Sequence, residues 1–442
     1  MKKILSICAL GCALAFTVAC KKDDAPKADW KTIPSEIITA ESGNATLTVN
    51  EVPVNVGNAK LIANGETTGI LTLTNVVPGY KTIPFNVQLK SIDENTFSFT
   101  GETSLTEGPA IIALKSSSAP VYDINAEGQI SVDGKITVNA YTHVNEQAQG
   151  GLAGTWNLKR KCGTLESELG TLPAEAPIWL DWKISNEQYV AISSLSAIVG
   201  QIGSAMLANY FDHVTFSESG NITAGYWESE DSGDSDSDEG GFDINKIFGM
   251  VPQPDDNGNY VFGNDHGDKW IESPAANLAF WHAADGYLYV APNITAIAAA
   301  ADSDEELQSR ADMGAGDLAS IVEILQSLKE YGVDVTALTK ELTTILEKGF
   351  AVKYSIDGDN LLIYVDKATC DPIVKPLLPA LNALDEKYEA LLKSEDPDDQ
   401  QTAQMIAMVF GMCGMSKPSD LIEVWNSTEE FQITLRLERA SK

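Results

Sequence analysis

One histidine stands between two carboxylates, in the arrangement that orients a general base. His266 lies in the segment NDHGD, flanked by Asp265 and Asp268. A carboxylate that holds one ring nitrogen leaves the other nitrogen free to take a proton from a substrate. An ordinary polar turn has the same composition, and no nucleophile is identifiable as a partner. We therefore favour the turn and assign no catalytic residue.

The signature motifs of several enzyme classes are missing from the chain. It contains no H-E-x-x-H, G-x-S-x-G, S-x-x-K or G-x-x-x-x-G-K-[ST], the local patterns of zinc peptidases, serine hydrolases and P-loop proteins. Their absence favours binding over catalysis and predicts no cofactor.

The most acidic segment, ESEDSGDSDSDEGGFD at 228–243, alternates acids with serines. Alternating acids can supply oxygen ligands for calcium. Counted from Asp234, however, the sixth position is Glu239 instead of glycine and the twelfth is Asn245 instead of glutamate. We predict a self-repelling disordered loop and no metal site. The loop should interrupt a hairpin whose strands are ITAGYWES and YVFGND.

Two tryptophans in PIWLDWKI are the best candidates for ligand contact. Trp179 and Trp182 are three residues apart, so a straight strand cannot bury both on one face. An exposed indole can stack on a sugar ring. We therefore predict, as the weaker alternative to core packing, that this pair binds a ligand.

Alternating apolar and polar residues predict an all-β module over 44–150. Segments such as ATLTVNEVPV, TGILTLTNVV and IPFNVQLKSI have period two, and Asp133-Gly134 is a hairpin signal. Five to eight strands are expected, in an antiparallel β-sandwich or small barrel. Residues 20–43 are expected to form a tether.

Strand hairpins and helices mix in the predicted C-terminal domain, 151–442. Hairpin turns are expected at 219–221, 285–286 and 357–360, and a last strand at EEFQITLRLERA. The segment 187–211 is apolar nearly all round and predicts a buried helix. Further helices are predicted at 315–332, 334–349, 371–393 and 398–415. The methionines of the last segment are expected to fill the core rather than form a binding surface.

The segment GLAGTW resembles the Gly-x-Trp segment that opens the first strand of lipocalins and other calycin barrels. The resemblance implies that Trp156 closes one end of a barrel, with Gly154 beside it and an arginine of the last strand across the ring. Arg439 is the candidate, with Arg436 as the alternative. The fold class predicted is mainly β with helical insertions (α+β), with a calycin-like C-terminal barrel decorated by several helices.

The N-terminus predicts a secreted, lipid-anchored protein. Two lysines precede an apolar segment, 4–18, that is shorter than the roughly 20 residues of a membrane span. Its end, Thr17-Val18-Ala19-Cys20, resembles the lipobox of bacterial lipoproteins, which implies cleavage after residue 19 and acylation of Cys20. Lys22, Asp23 and Asp24 resemble the export signal of Bacteroidetes surface lipoproteins, which implies an outer-membrane protein exposed on the cell surface.

The net charge limits the classes of partner that the chain can bind. The formal net charge of −33 argues against nucleic acid, which binds basic surfaces. It also means that a lipid anchor, rather than a basic patch, must hold the chain at a membrane.

Beyond Cys20, only three cysteines remain in the chain, Cys162, Cys370 and Cys413. One disulfide with a free thiol and three free thiols are both open.

Taken whole, the layout resembles uncharacterised lipoproteins of Bacteroidetes, a likeness that supplies no activity. We expect a non-enzymatic surface lipoprotein that binds a glycan, or a small apolar ligand inside the barrel, and that can assist an outer-membrane transporter. The alternatives are a hydrolase with an atypical carboxylate or histidine site and a structural or adhesive surface protein.

Overall fold

The computed structural model describes residues 28–78, 80–105, 121–167, 170–228, 251–264, 266–293 and 328–441. Two large curled sheets and several helices make up this part of the chain. The prediction of a mainly β, α+β fold with barrel-like sheets is therefore confirmed.

The first sheet contains nine strands, more than the sequence predicts. They are β1 (Ile38–Thr39), β2 (Ala45–Val49), β3 (Val52–Val54), β4 (Asn58–Ala63), β5 (Thr68–Thr74), β6 (Thr82–Ser91), β7 (Thr96–Leu105), β8 (Tyr122–Ser131) and β9 (Ile136–Val144). Their order is β1-β4-β5-β6-β7-β8-β9-β2-β3. The sheet is not wholly antiparallel, because β2 pairs with β9 in parallel.

Period-two alternation explains how this sheet forms its core. Along β6, Ile83, Phe85, Val87 and Leu89 are buried while the residues between them are exposed. The expected hairpin joins β8 to β9, and its Gly134 has a φ of 90°, which an L side chain rarely adopts. A short helix, α1 (Glu146–Gln149), then leads into the second sheet.

Fourteen strands follow among the described residues of the C-terminal domain. They are β10 (Gly154–Leu158), β11 (Lys161–Cys162), β12 (Thr164–Ser167), β13 (Gly170–Pro173), β14 (Ile178–Ile184), β15 (Phe211–Phe216), β16 (Ile222–Tyr226), β17 (Tyr260–Val261), β18 (Ile271–Glu272), β19 (Ala279–Ala284), β20 (Tyr287–Pro292), β21 (Phe350–Asp357), β22 (Asn360–Asp366) and β23 (Thr428–Arg439). Ten of them form one sheet in the order β18-β16-β15-β10-β23-β22-β21-β20-β19, with β14 paired to β23. The three predicted hairpins are present as β15–β16, β19–β20 and β21–β22.

The two ends of this sheet approach each other, which gives it a barrel-like form. A bridge joins Asn221, just before β16, to Phe280 of β19, and the N–H of Trp281 donates to Gly220 O at 3.0 Å. One hairpin prediction is wrong: YVFGND does not pair with the strand of ITAGYWES. Instead β17 pairs with β11, and β18 pairs with β16.

The longer helices lie around this sheet. They are α2 (Ala191–Tyr210), α3 (Val335–Lys348), α4 (Lys367–Leu377), α5 (Leu381–Lys393), α6 (Pro397–Met412) and α7 (Asp420–Asn426). The segment expected as one helix over 371–393 is divided into α4 and α5 by a 3-10 turn, Leu378–Ala380, which contains Pro379. The helix expected over 315–332 lies outside the described residues, except for a 3-10 turn at Leu328–Tyr331.

Helix α2 is not buried all round as predicted. With the turn before it, Glu187–Tyr210 is long and apolar enough to cross a membrane by length and composition, yet it packs on β14. Its small residues face the sheet, including Gly200 and Ser204, whereas Val199 and Met206 are exposed. The prediction for the methionines of α6 is likewise wrong in part, because Met408 and Met412 are exposed.

The two sheets share one continuous core. Tyr122 of β8 is buried, donates its hydroxyl to Trp281 O at 2.6 Å, and packs against Phe280 and His282. Asn277 adds a bond from its side-chain amide to Val49 O at 2.7 Å. The first sheet is therefore bonded firmly to the C-terminal domain.

Candidate functional site

A cleft of about 710 Å³ opens beside β14, between the first turns of α2 and α4. Both tryptophans singled out in the sequence line it. The lining residues are Trp179, Leu180, Asp181, Trp182, Lys183, Ser193, Ser196, Ala197, Asp366, Lys367, Ala368, Glu429, Glu430, Phe431 and Gln432. The cleft thus combines two tryptophans with many polar residues, a composition that suits a hydroxyl-rich ligand.

The cleft exists because β14 is only partly covered by α2. Ser204 Oγ accepts a bond from Ile178 N–H at 2.8 Å and lies 3.0 Å from Ile178 O, so the hydroxyl caps the strand edge there. Gly200 lets the helix approach: a Cβ would lie 3.2 Å from Ile178 O and 3.3 Å from Leu180 N. Beyond this point the groove opens toward Trp182.

Backbone groups of β14 face this opening. Alternate residues of a strand direct their N–H and C=O groups to opposite sides, and those of Ile178 point toward α2. The backbone groups of Trp182 therefore point away from β23 as well. They offer a donor and an acceptor next to the indole.

The two tryptophans pack on different faces of β14, as their spacing predicts. Trp179 packs against the main core and donates its Nε1–H to Asp181 Oδ1 at 2.8 Å. Trp182 lies edge-on to Phe431, 5.2 Å between ring centroids, and donates to Thr428 Oγ1 at 2.8 Å. Both side chains remain partly exposed, so hydrogen bonds fix the indoles while part of each ring stays accessible.

A serine of α2 adds an unused polar atom to the cleft wall. Ser193 Oγ is buried and has no hydrogen-bond partner within the described part of the chain. A buried hydroxyl without a partner costs about 1–3 kcal/mol. A rotation of the Ser193 side chain toward the cleft, whose wall it forms, would let a ligand hydroxyl remove this cost.

The charges around the cleft are mostly paired and carry an excess of acid. Lys183 lies 3.1 Å from Glu429 and 3.8 Å from Glu430, and its bond to Glu429 raises the pKa of the lysine. Lys353 is paired with Asp366. Burial acts to raise the pKa of Asp366, but hydrogen bonds from Lys353 and Thr369 outweigh it and lower that pKa.

The barrel residues expected from the calycin resemblance lie together. Trp156 and Arg439 are direct partners across β10 and β23, and the Arg439 guanidinium lies 4.1 Å from the Trp156 ring centroid. Arg439 donates to Gly151 O at 2.9 Å. Gly154 has a φ of 115°, and a Cβ added there would lie 3.6 Å from Arg439 Nη1. The barrel interior here is occupied by fully buried side chains, Trp156 and Trp281 among them.

His266 has an aromatic environment that the sequence did not suggest. Its ring stacks on Trp227 at 4.2 Å and meets Trp270 edge-on at 4.9 Å. Its Nε2–H donates to Asn209 O at 3.1 Å. Asp265 and the Asp268 side chain lie outside the described residues, so the carboxylate-oriented base, the alternative to the favoured turn, is not tested.

The remaining residues singled out in the sequence are the N-terminal signal residues, the acidic loop and three cysteines. Cys20, Lys22, Asp23 and Asp24 precede the described residues, and the acidic loop from 229 to 243 also falls outside them. Cys162, Cys370 and Cys413 are free thiols, which decides between the two alternatives left open. Burial raises the pKa of Cys162 to about 11.

Comparison with protein-family models, with curated proteins and with solved structures finds no match to this chain.

Proposed function

We propose that this chain is a lipid-anchored surface protein that binds a neutral glycan in the cleft lined by Trp179 and Trp182 beside β14. The anchor is the acylated Cys20, and Lys22, Asp23 and Asp24 direct the protein to the outer face of the outer membrane. These steps rest on the N-terminal sequence. The ligand-binding step rests on the cleft.

The observation that carries the glycan proposal is one cleft lined by two partly exposed tryptophans and by outward backbone groups of β14. Aromatic faces stack on the apolar faces of sugar rings, while backbone groups and hydroxyls bond to the sugar hydroxyls around the rim. The Trp182 backbone supplies such groups, and Ser193 Oγ supplies one once its side chain rotates into the cleft. A volume of about 710 Å³ fits a short oligosaccharide segment.

An apolar ligand inside the barrel is less well supported. At the end closed by Arg439, the interior is filled by Trp156, Trp281 and Phe216, with Phe216 and Trp281 rings 5.2 Å apart. Bulky side chains in van der Waals contact leave no room for a ligand at that point. The outer-membrane transporter named from the sequence remains a proposed partner.

A glycan array with the chain that begins at residue 21 tests this proposal. Binding to at least one neutral glycan is expected. Trp179→Ala should weaken it by about two- to tenfold, because loss of one stacking contact costs about 0.5–1.5 kcal/mol. Tyr141→Ala, which removes an exposed aromatic ring of the first sheet, is the matched control.

Ser193→Ala separates ligand binding from folding, since the Ser193 hydroxyl has no partner to lose. It should weaken glycan binding without lowering the free energy of unfolding. Absence of any glycan ligand, or unchanged binding in both Trp179→Ala and Ser193→Ala, would rule out the proposed site.

A further inference from the structure

The described chain enters the first sheet at one end of its long strands. The N–H of Ala28 donates to Ser91 Oγ at 3.2 Å. Ser91 ends β6, and the β6–β7 turn lies beside the β8–β9 turn because Thr96 pairs with Ser131. Ala28 is therefore at the end of the sheet that carries these two turns.

The C-terminal domain is bonded to the opposite end. Thr142 Oγ1 donates to Ser219 O at 2.5 Å, and Val144 N–H donates to Glu218 O at 2.8 Å. Both residues lie at the end of β9 that is farthest from the β8–β9 turn. At about 3.4 Å per residue, the nine residues of β9 span about 30 Å between the two ends.

The cleft lies one strand length away from the joint, along β23. Arg439, at the end of β23, contacts Gly151 of the segment that joins the two sheets. The cleft is lined by residues 429–432 of the same strand. Seven residues of extended chain separate Gln432 from Arg439, a further distance of about 24 Å.

The joint between the sheets is built to resist bending. Tyr122 is buried, and its hydroxyl bond to Trp281 O crosses the joint. Asn277 bonds to both Val49 O and Asn221, at 2.7 and 2.8 Å. Hinge motion would break these hydrogen bonds and expose the shared core to water.

We infer that β23 continues the direction of the long strands of the first sheet, and that this sheet is a rigid spacer that holds the cleft on the order of 50 Å beyond Ala28 and away from the lipid surface. This inference rests on the proposed anchoring at Cys20. The eight residues 20–27 reach at most about 29 Å, so the anchor stays on the Ala28 side of the molecule. The strongly acidic body is repelled by anionic head groups, which favours an upright orientation.

The consequence concerns the source of the ligand. A cleft held away from the bilayer contacts material in the surrounding medium or on another surface, and it does not contact head groups of its own membrane. The ligand class that follows is a soluble or externally attached glycan, as opposed to a glycolipid of the same bilayer.

Energy transfer to a bilayer tests this orientation without relying on acylation in the cell. The chain from Cys20 onward, with Cys370→Ser and Cys413→Ser, is coupled through Cys20 to a maleimide lipid. Cys162 is buried and stays in place. One fluorescent donor, introduced as a non-cysteine label, replaces Glu94, Asp359 or Glu187, all of which are exposed. The vesicles contain an acceptor lipid for energy transfer. They also contain 20% anionic lipid, about one in five lipids, so that the bilayer repels an acidic body.

Transfer should be strong from position 94, weaker from 359 beside the joint, and weakest from 187 near the cleft. Equal transfer from all three positions, or stronger transfer from 187 than from 94, would overturn the spacer inference. Glycan binding is measured separately on the uncoupled chain, so a failed glycan proposal and a failed orientation give different results.

Discussion

Arg439 covers the ring of Trp156 at the point where the barrel core ends. The guanidinium lies 4.1 Å from the ring centroid, while Trp156 is fully buried and donates its Nε1–H to Leu152 O at 2.7 Å. Arg439 also donates to Gly151 O at 2.9 Å. The pair therefore closes the barrel and also bonds it to the segment that connects the two sheets.

Arg439→Ala should lower the free energy of unfolding by about 1–3 kcal/mol. The expected loss combines a cation–π contact of about 0.5–2 kcal/mol with a hydrogen bond of about 1 kcal/mol. The free energy of unfolding of Arg439→Lys should lie between those of the wild type and Arg439→Ala, since lysine keeps the charge but lacks the planar group. Urea unfolding measures the effect, with exposed Lys135→Ala as control. Equal midpoints for Arg439→Ala and the control would show that the pair contributes nothing to stability.

His282 should make the protein less stable as the pH falls. Burial lowers its pKa to about 4 from an ordinary value of 6.5, and the ring is stacked on Tyr289 at 4.8 Å. The unfolded chain takes up a proton below about pH 6.5, whereas the folded chain does so only near pH 4. Stability present above pH 6.5 is therefore lost between these values, by up to about 3 kcal/mol.

Urea unfolding at pH 7.5 and pH 5.5 measures this effect above the range where most carboxylates titrate. His282→Phe, which can stack on Tyr289, should reduce the difference between the two pH values. His143→Gln, at an exposed position, should leave it unchanged. A difference that persists in His282→Phe would assign the pH dependence to other groups.

Ser204→Ala should destabilise the α2–β14 contact and distort the cleft. Its hydroxyl caps the N–H of Ile178 and lies near two carbonyl oxygens. Removing it leaves buried backbone groups unpaired, at about 1–3 kcal/mol. Ser194→Ala, at an exposed position of the same helix, is the control and should change the free energy of unfolding by less than about 0.5 kcal/mol. The capping role would be wrong if the two variants unfolded at the same urea concentration.

The acidic excess around the cleft should discriminate against acidic sugars. Among the lining residues, Asp181, Asp366, Glu429 and Glu430 outnumber Lys183 and Lys367. Glu430→Lys should raise the affinity for a uronic acid oligosaccharide several-fold at low salt, and less at high salt because of screening. Calorimetry with a neutral oligosaccharide should show little change. Glu438→Lys, distant from the cleft, is the matched control, and an equal gain there would point to long-range charge alone.

Local patterns in the sequence predicted much of the strand structure. Period-two alternation in β6 and the Asp133-Gly134 turn are local signals, and the Arg439–Trp156 contact follows from the calycin resemblance. The packing of α2 was misjudged because hydropathy does not show which face a helix buries. Here small residues, Gly200 and Ser204, were needed for a close approach to β14.

The cleft was only half visible from the sequence. The spacing of Trp179 and Trp182 indicated two faces of a strand, but the opposite wall comes from α2, α4 and β23, distant along the chain. Ser193 carried no signal, because an unpaired hydroxyl is a property of packing. Strand parity would have identified the outward backbone of Trp182 only once β23 was known as the partner.

Glycan affinity with and without the Trp179 indole tests the central proposal most directly. Calorimetry of the chain from residue 21, titrated with the best neutral oligosaccharide from the array, should show saturable binding at one site. That binding should weaken by about two- to tenfold in Trp179→Ala and stay unchanged in Tyr141→Ala. Equal affinity in the wild type and Trp179→Ala, with Ser193→Ala also unaffected, would contradict a binding site at this cleft.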